Sequence, residues 1–387
     1  MRFPEFSGEW EKYSLGEIGH TSIGLTYSPA DVVKEDGTIV LRSSNIQDGE
    51  IDYKDLVRVN KKIKDSLFTK KDDILICARN GSSRLIGKNA LISDVDAGHS
   101  YGAFMMVYRS EDNRFIRQLL CTKRYFAQVG ENLGARINQI TTSDMNSFEF
   151  FFPQSKEERN KIALFLRIID ERISTQKKII EKYESLIRGL ITSVNKGEIC
   201  KCKATALKDV LTEVHEKNVE NHEVCSVSVS QGVINQIDYL GRSFAAKEVL
   251  HYNVVNYGDI VYTKSPTGEF PYGIVKRSNL DRPVAVSPLY GVYRPVNDYV
   301  GIYLHLYFKS PVNTKNYLHR LIQKGAKNTI NITNQHFLDN KILIPENGWL
   351  EIIVNAASTI EKMIQIECDA LLWLERQKNY LLSKMFI

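Results

Sequence analysis

The sequence predicts an α/β (α+β) protein: two globular domains joined by two long helices that form an antiparallel intramolecular coiled coil, with a pseudo-twofold relation between the halves. Three observations carry that fold class. The 387-residue chain repeats itself once at an offset of about 190 residues, far longer than the period of a solenoid. After Pro153 and again after Pro345 the hydrophobic period changes from 2 to 3.5, the switch from strand to long supercoiling helix. The two heptad stripes match in length, and a single such helix cannot bury its stripe alone, so the two most simply pair. An antiparallel pairing lets the duplicated halves relate by a twofold axis.

Residues 1–153 are the first domain. Phe68-Thr69-Lys70-Lys71-Asp72-Asp73-Ile74-Leu75-Ile76 reads as an acidic turn entering a β-rich run, followed by a polar, glycine-bearing loop from Ala78 to Gly87. The stretch Phe115 to Phe126 has apolar residues at helical spacing and reads as a helix covering a sheet. Gly134-Ala135-Arg136 then leads through a polar stretch into the strand Phe148 to Pro153.

Residues 154–196 are the central helix. Ser155 with Glu158 three residues on is a capping-box pattern, and Gly197 is a stop signal. Some 40 residues at about 1.5 Å each make a helix of roughly 60 Å, more than the roughly 34 Å of one DNA turn. Its seam is Ile162, Leu166, Ile169, Ile173, Gln176, Ile180, Tyr183, Ile187 and Leu190.

Residues 197–346 repeat the plan of the first domain. Val254-Val255-Asn256-Tyr257-Gly258-Asp259-Ile260-Val261-Tyr262 precedes a polar loop from Thr263 to Gly273, Gly325-Ala326-Lys327 matches Gly134-Ala135-Arg136, and Lys341 to Pro345 is the closing strand. Tyr317 to Ile322 reads as a helix matching Phe115 to Phe126. Residues 347–387 are the C-terminal helix, with Asn347 as its candidate cap. Its seam is Ile353, Ala357, Ile360, Ile364, Glu367, Leu371, Leu374, Lys378 and Leu381. Gln176 and Glu367 are expected to meet near the centre of the coil, a polar pair that fixes register at some cost in stability.

Composition narrows the function. With 43% apolar and 25% charged residues the chain is globular. No run approaches the roughly 18 apolar residues of a membrane span, and Met1 to Trp10 lack a signal pattern, so the expectation is a cytoplasmic protein. Six cysteines (Cys77, Cys121, Cys200, Cys202, Cys225, Cys368) are too sparse for a disulfide framework, and Cys200 with Cys202 lacks a second ligand pair, so reduced, non-ligand thiols are expected. The net charge of +5 divides as −1 over residues 1–153, +3 over 154–195, +4 over 196–346 and −1 over 347–387. Nucleic-acid binding would therefore rest on local clusters, with part of the affinity supplied by a partner.

The sequence lacks catalytic signatures. Gly81 to Asn89 has five residues between its glycines and Asn where a phosphate loop needs Ser or Thr. There is no His-Glu-x-x-His helix, no Gly-x-Ser-x-Gly elbow and no Asn/Asp-Pro-Pro-aromatic loop. The acidic pairs Asp72-Asp73 and Asp94 with Asp96 read as solvated turns. A recognition or scaffolding protein is the expectation.

The order of these parts, with Trp10-Glu11-Lys12-Tyr13-Ser14-Leu15-Gly16-Glu17-Ile18, Leu41-Arg42-Ser43-Ser44-Asn45-Ile46-Gln47-Asp48-Gly49 and Gly134 to Ile140, resembles the specificity subunits of type I restriction-modification systems over essentially the whole chain. The resemblance implies a non-catalytic subunit whose two globular domains, as target-recognition domains, each read one half of a split, asymmetric site in double-stranded DNA. The helices would set the spacer and dock two modification (methyltransferase) subunits, with restriction subunits for translocation and cleavage. No cofactor is expected in this chain; S-adenosylmethionine, ATP and magnesium would belong to the partners. The second copy departs at Lys327-Asn328-Thr329-Ile330-Asn331, where the first has Arg136-Ile137-Asn138-Gln139-Ile140, so individual contacts need not be equivalent. The competing reading is a coiled-coil scaffold joining two protein-binding modules without DNA.

Base readout uses Arg or Lys on guanine and Asn or Gln on adenine, with hydroxyls on phosphates. The polar loops supply those types: Arg42, Ser43, Asn45, Arg79, Asn80, Ser82, Arg84 and Arg136 in the first domain, and Ser228, Ser230, Gln231, Lys264, Thr267, Lys327 and Asn328 in the second. The outer face of the coiled coil is the expected partner surface.

Overall fold

A computed structural model describes residues 1–133, 138–241, 248–324, 330–346 and 348–386. It is a mixed helix and strand protein of two globular units served by two long helices. Unit 1 comprises Met1–Lys178 with Cys368–Ile387, and unit 2 comprises Ile179–Glu367. Each unit takes half of the central helix, Lys156–Asn195, and half of the C-terminal helix, Trp349–Met385.

In unit 1 an antiparallel sheet has the strand order His20–Ile23, Met105–Arg109, Ile74–Cys77, Asn89–Leu91. A second sheet orders Ser100–Tyr101, Thr38–Leu41, Val57–Val59 and Val32–Val33. Strands Trp10–Ser14 and Glu149–Pro153 pair antiparallel and lead into the central helix. Unit 2 repeats the first sheet with Leu211–Glu213, Gly291–Pro295, Ile260–Tyr262 and Val275–Arg277, and repeats the ribbon with Cys202–Ala206 and Lys341–Pro345. The β-rich run after each acidic turn is thus an inner strand of its sheet, which is why it is apolar on both faces.

The heptad stripes are buried where each helix joins a head. In unit 1, Ile162, Leu166 and Ile169 share one core with Leu381, Leu382 and Met385 of the C-terminal helix, while Ile173, Gln176, Leu371 and Leu374 are half-buried. There the helices run antiparallel: Asp170 pairs with Lys378 at 2.5 Å, and Lys177, one heptad on, pairs with Glu375 at 3.7 Å. In unit 2, Ile187 shares a core with Ile353, Val354 and Ala357, flanked by Leu190, Ile360 and Ile364, while Ile180, Tyr183 and Glu367 are half-buried. The central helix ends as its glycine requires. Gly197 has φ +71°, its N–H donates to the Val194 carbonyl and that of Glu198 to the Ser193 carbonyl, a Schellman close.

Several local expectations need correction. Asp73 and Asp96 are buried, not solvated. Asp73 receives both the Nε (3.0 Å) and Nη2 (2.8 Å) of Arg109, and Asp96 accepts the Tyr53 hydroxyl at 2.7 Å. Asp72 and Asp94 stay at the surface, facing Arg114 and Lys71. The Phe115–Phe126 stretch is two helices, Asn113–Leu119 and Lys123–Leu133, because the turn at Leu120–Thr122 redirects the chain. The second-domain counterpart is Pro311–His319, preceded by Asp298–Phe308, and stops before Leu321. Ser155 accepts the Glu158 N–H at 3.2 Å as a cap should, but the buried Glu158 carboxylate turns to Arg2 (both contacts 2.7 Å). Asn347 lies outside the described residues.

Candidate nucleic-acid interface

In unit 1 the polar turns are tied to one another by their own side chains. Asn45 is wholly buried: its Oδ1 accepts the Arg42 N–H at 2.9 Å and its Nδ2 donates to the carbonyls of Asp52 and Asp55. Arg42 pairs with Asp55 at 2.7 Å. Ser43 accepts from Asn80 Nδ2 at 2.9 Å, joining this turn to the loop after Ile74–Cys77. That loop is braced from a third segment. Asn138, at φ +49°, donates to the Gly81 carbonyl, and Arg79 bridges Gln139. Arg79, Ser82 and Arg84 are left exposed, with the Arg79 guanidinium over the Phe104 ring at 5.0 Å. Arg42, Ser43, Asn45, Arg79 and Asn80 are therefore connected, with Ser82 and Arg84 on the same loop. Arg136 lies outside the described residues.

Unit 2 uses other means. Ser228 ends the strand Cys225–Ser228 and is buried; its hydroxyl lies 3.3 Å from that of Ser230 and accepts the Gln231 N–H. Ser230 and Gln231 are exposed on the turn to Gly232–Asn235. Lys264 and Thr267 stand on a different loop. Lys264 is half-buried at φ +58°, and Gly273 passes so close that a Cβ there would fall 2.8 Å from the Lys264 backbone nitrogen. Burial pushes the Lys264 amine below its ordinary value. Lys327 and Asn328 lie outside the described residues.

Behind the Ser230–Gly232 turn is a cavity of about 230 Å³ whose basic lining the loop-centred reading missed: Lys276, Arg277, His305 and Lys309. Lys276 is 3% exposed, and burial together with Lys309 pushes its amine down to about 8. His305 accepts the Arg277 N–H on Nδ1 at 3.2 Å, and burial beside these cations pushes its imidazole down to about 3, so it is neutral. The missed signal lay in the repeat: carried past the loops to the next strand, it sets Lys276 against Ala90. The arrangement offers hydrogen-bond donors and cations on turns. Among the described residues no cluster of His, Cys, Asp or Glu could hold a metal ion, and no helix is long and apolar enough to cross a membrane.

Comparison with known proteins agrees with this picture. Residues 7–185 match the type I restriction modification DNA specificity domain. The chain is similar to the type I restriction enzyme EcoKI specificity subunit of Escherichia coli (strain K12), 23% identical across 94% of this chain and 85% of that protein. It also resembles the StySPI specificity subunit of Salmonella potsdam, 26% identical across 52% of this chain and 44% of that protein. In fold it is like the S subunit of a type I restriction-modification system from M. genitalium, with a TM-score of 0.59, 13% identity and coverage of 100% and 99%. The first half of the chain thus matches the DNA specificity domain of type I restriction-modification systems, and the chain is similar across 94% of its length to a type I specificity subunit.

Proposed function

We propose that this chain is the non-catalytic DNA-recognition subunit of a type I restriction-modification complex, each unit reading one half of a bipartite, asymmetric target in double-stranded DNA. The observation that carries the reading is the duplication of one sheet whose turns differ: the scaffold is the same, and the side chains at its edge are not. Arg79, Ser82 and Arg84 in unit 1 and Ser230, Gln231 and Thr267 in unit 2 are the exposed candidates for DNA contact. Asn45 and Ser228 act as positioning residues, since their polar atoms hold the turns. Arg136, Lys327 and Asn328 belong to the same proposal on sequence grounds, and Lys264 serves as a half-buried phosphate contact.

The long helices set the spacer and dock two modification subunits. Large apolar side chains stand exposed along them, Leu164 and Ile168 on the central helix and Ile366 and Trp373 on the C-terminal one, the latter two 66% and 69% exposed. Such side chains on long helices are the usual anchors of a partner surface. S-adenosylmethionine belongs to the modification subunits, and ATP and magnesium to the restriction subunits. The complex acts in the cytoplasm.

The test is coexpression with the partner methyltransferase in a methylation-free host, followed by mapping of methylated bases. A split motif seen only with both chains is the expected result; a stable complex that methylates no defined motif overturns it in favour of a scaffold. Replacing residues 200–346 by the second domain of another member should change one half-site and spare the other. Inserting a helical turn near Lys196 should change the gap.

A further inference from the structure

Lys276 sits mid-strand opposite Val261, as Ala90 sits opposite Leu75. The two positions are equivalent, because Asp259 and Asp73 precede the inner strands in the same register and hold Arg294 and Arg109 in the same way. The fold thus does not need a cation there, and alanine fills the place in unit 1, among apolar neighbours. In unit 2 a lysine takes that place, although Val261 and Val233 beside it are apolar. A buried ammonium without an anion is costly, and such groups are retained where something pairs with them.

Among the described residues none gives the Lys276 ammonium an acceptor or a carboxylate, and the charge acting on it is a second cation, Lys309. The other basic groups are partly spent. Arg277 gives Nη1 to Asn279 and Nη2 to Asp298, yet its buried Nε has no acceptor. Lys309 lies 3.3 Å from Glu361, and His305 uses Nδ1 as an acceptor, which leaves Nε2 as a donor. Around the cavity stand one unpaired ammonium and the donors of Ser230, Gln231 and His305. About 230 Å³ is below the roughly 300–1,000 Å³ of pockets for drug-sized ligands, but ample for one tetrahedral anion and water.

We infer that this cavity is an anion site that takes one phosphate group, with Lys276 as its charge and the Ser230–Gln231 turn as its lid. The site rests on the geometry; that the group is a phosphodiester of the DNA backbone rests on the proposed function. A phosphate held here fixes the Ser230–Gln231 turn against the duplex without reading a base.

The test compares the full chain with Lys276→Ala, the residue unit 1 carries, and with Lys309→Gln at the exposed rim. Calorimetric titration with inorganic phosphate at constant ionic strength should show one site, weakened at least tenfold by Lys276→Ala and less by Lys309→Gln. In the complex with its methyltransferase, Lys276→Ala should reduce the slope of log affinity for duplex DNA against log salt by about one. Phosphate binding lost in the variant with an unchanged DNA slope keeps the site but assigns it to a free phosphate ester. No phosphate binding, together with unchanged affinity and slope on DNA that is bound, overturns the inference and leaves DNA recognition standing. A complex that binds no DNA overturns the proposed function, and the phosphate titration then judges the site alone.

Discussion

The two sheets differ most instructively at the strand beside the inner one. Asn89–Leu91 in unit 1 keeps its middle residue, Ala90, in an apolar cluster with Leu41, Leu75, Cys77 and Tyr101, and the polar work is done outside the sheet by turns that bond to one another. Val275–Arg277 in unit 2 carries its charge inside the sheet, and its nearest turn, Ser228–Gly232, is linked mainly to itself. Duplication therefore preserved the part whose geometry is dictated by burial, namely strand order and the buried aspartate that holds an arginine. It left free the part whose only requirement is to face a ligand. Unit 1 presents a rigid, self-braced edge, and unit 2 presents a cavity waiting for an anion.

Exchanging the residues at the equivalent position should give the largest effect. Ala90→Lys places an unpaired ammonium in a packed apolar site and should cost more than about 4 kcal/mol, or prevent unit 1 from folding. Lys276→Ala should be neutral or stabilising by about 1–2 kcal/mol. Hydrogen exchange of each sheet measures both, which a single melt of a two-unit chain does not. Equal costs for the two substitutions would break the comparison.

The aspartate anchors sharpen it. Asp73→Ala strands Arg109, whose side chain is 17% exposed, and should destabilise unit 1 by about 3–5 kcal/mol. Asp259→Ala leaves Arg294, 51% exposed, able to reach water, and should cost about 1–2 kcal/mol. The same exchange measurement ranks them.

On DNA, Arg84→Ala and Gln231→Ala should each relax discrimination by about 1–3 kcal/mol at a base of one half-site, and at different halves. Methylation mapping with each variant reads this directly, and loss at the same half from both would contradict a division of labour.

The most gradual effect is in pH. The Lys276 amine lies lower in the folded protein, at about 8, than its ordinary 10.5. Between those values the unfolded chain holds the proton that the folded chain has lost, so raising pH through this window stabilises unit 2, by at most about 1.4 kcal/mol per pH unit. Below about 8 both states are protonated and the slope vanishes. Lys276→Ala should remove the rise, seen as the difference in stability between wild type and variant at pH 7.5 and 9.5.

The seam was legible because heptad spacing is a local, one-dimensional signal: every seam position from Ile162 to Leu190 and from Ile353 to Leu381 is buried or half-buried. The closing strands at Glu149–Pro153 and Lys341–Pro345 were legible for the same reason. Asp73 was misread because its partner, Arg109, arrives from 36 residues away, and nothing in Lys71-Asp72-Asp73 announces it. Lys276 was missed because a basic residue in a short strand looks like an exposed edge; only strand pairing with Val261 shows that it faces inward. Asn45 looked like a reader of bases, and the structure shows its amide spent on three backbone groups.

The core of unit 1 has a further implication for how the protein comes into being. Ile162, Leu166 and Ile169 are covered by Leu381, Leu382 and Met385, so that core draws on stretches separated by all of unit 2. On the ribosome the first head must wait, with that apolar stripe uncovered, until the entire second head has been made. Contacts of such long sequence separation form late and slowly. The head synthesised first is thus the one completed last, and removing residues 368–386 would injure the domain farthest from them in the sequence.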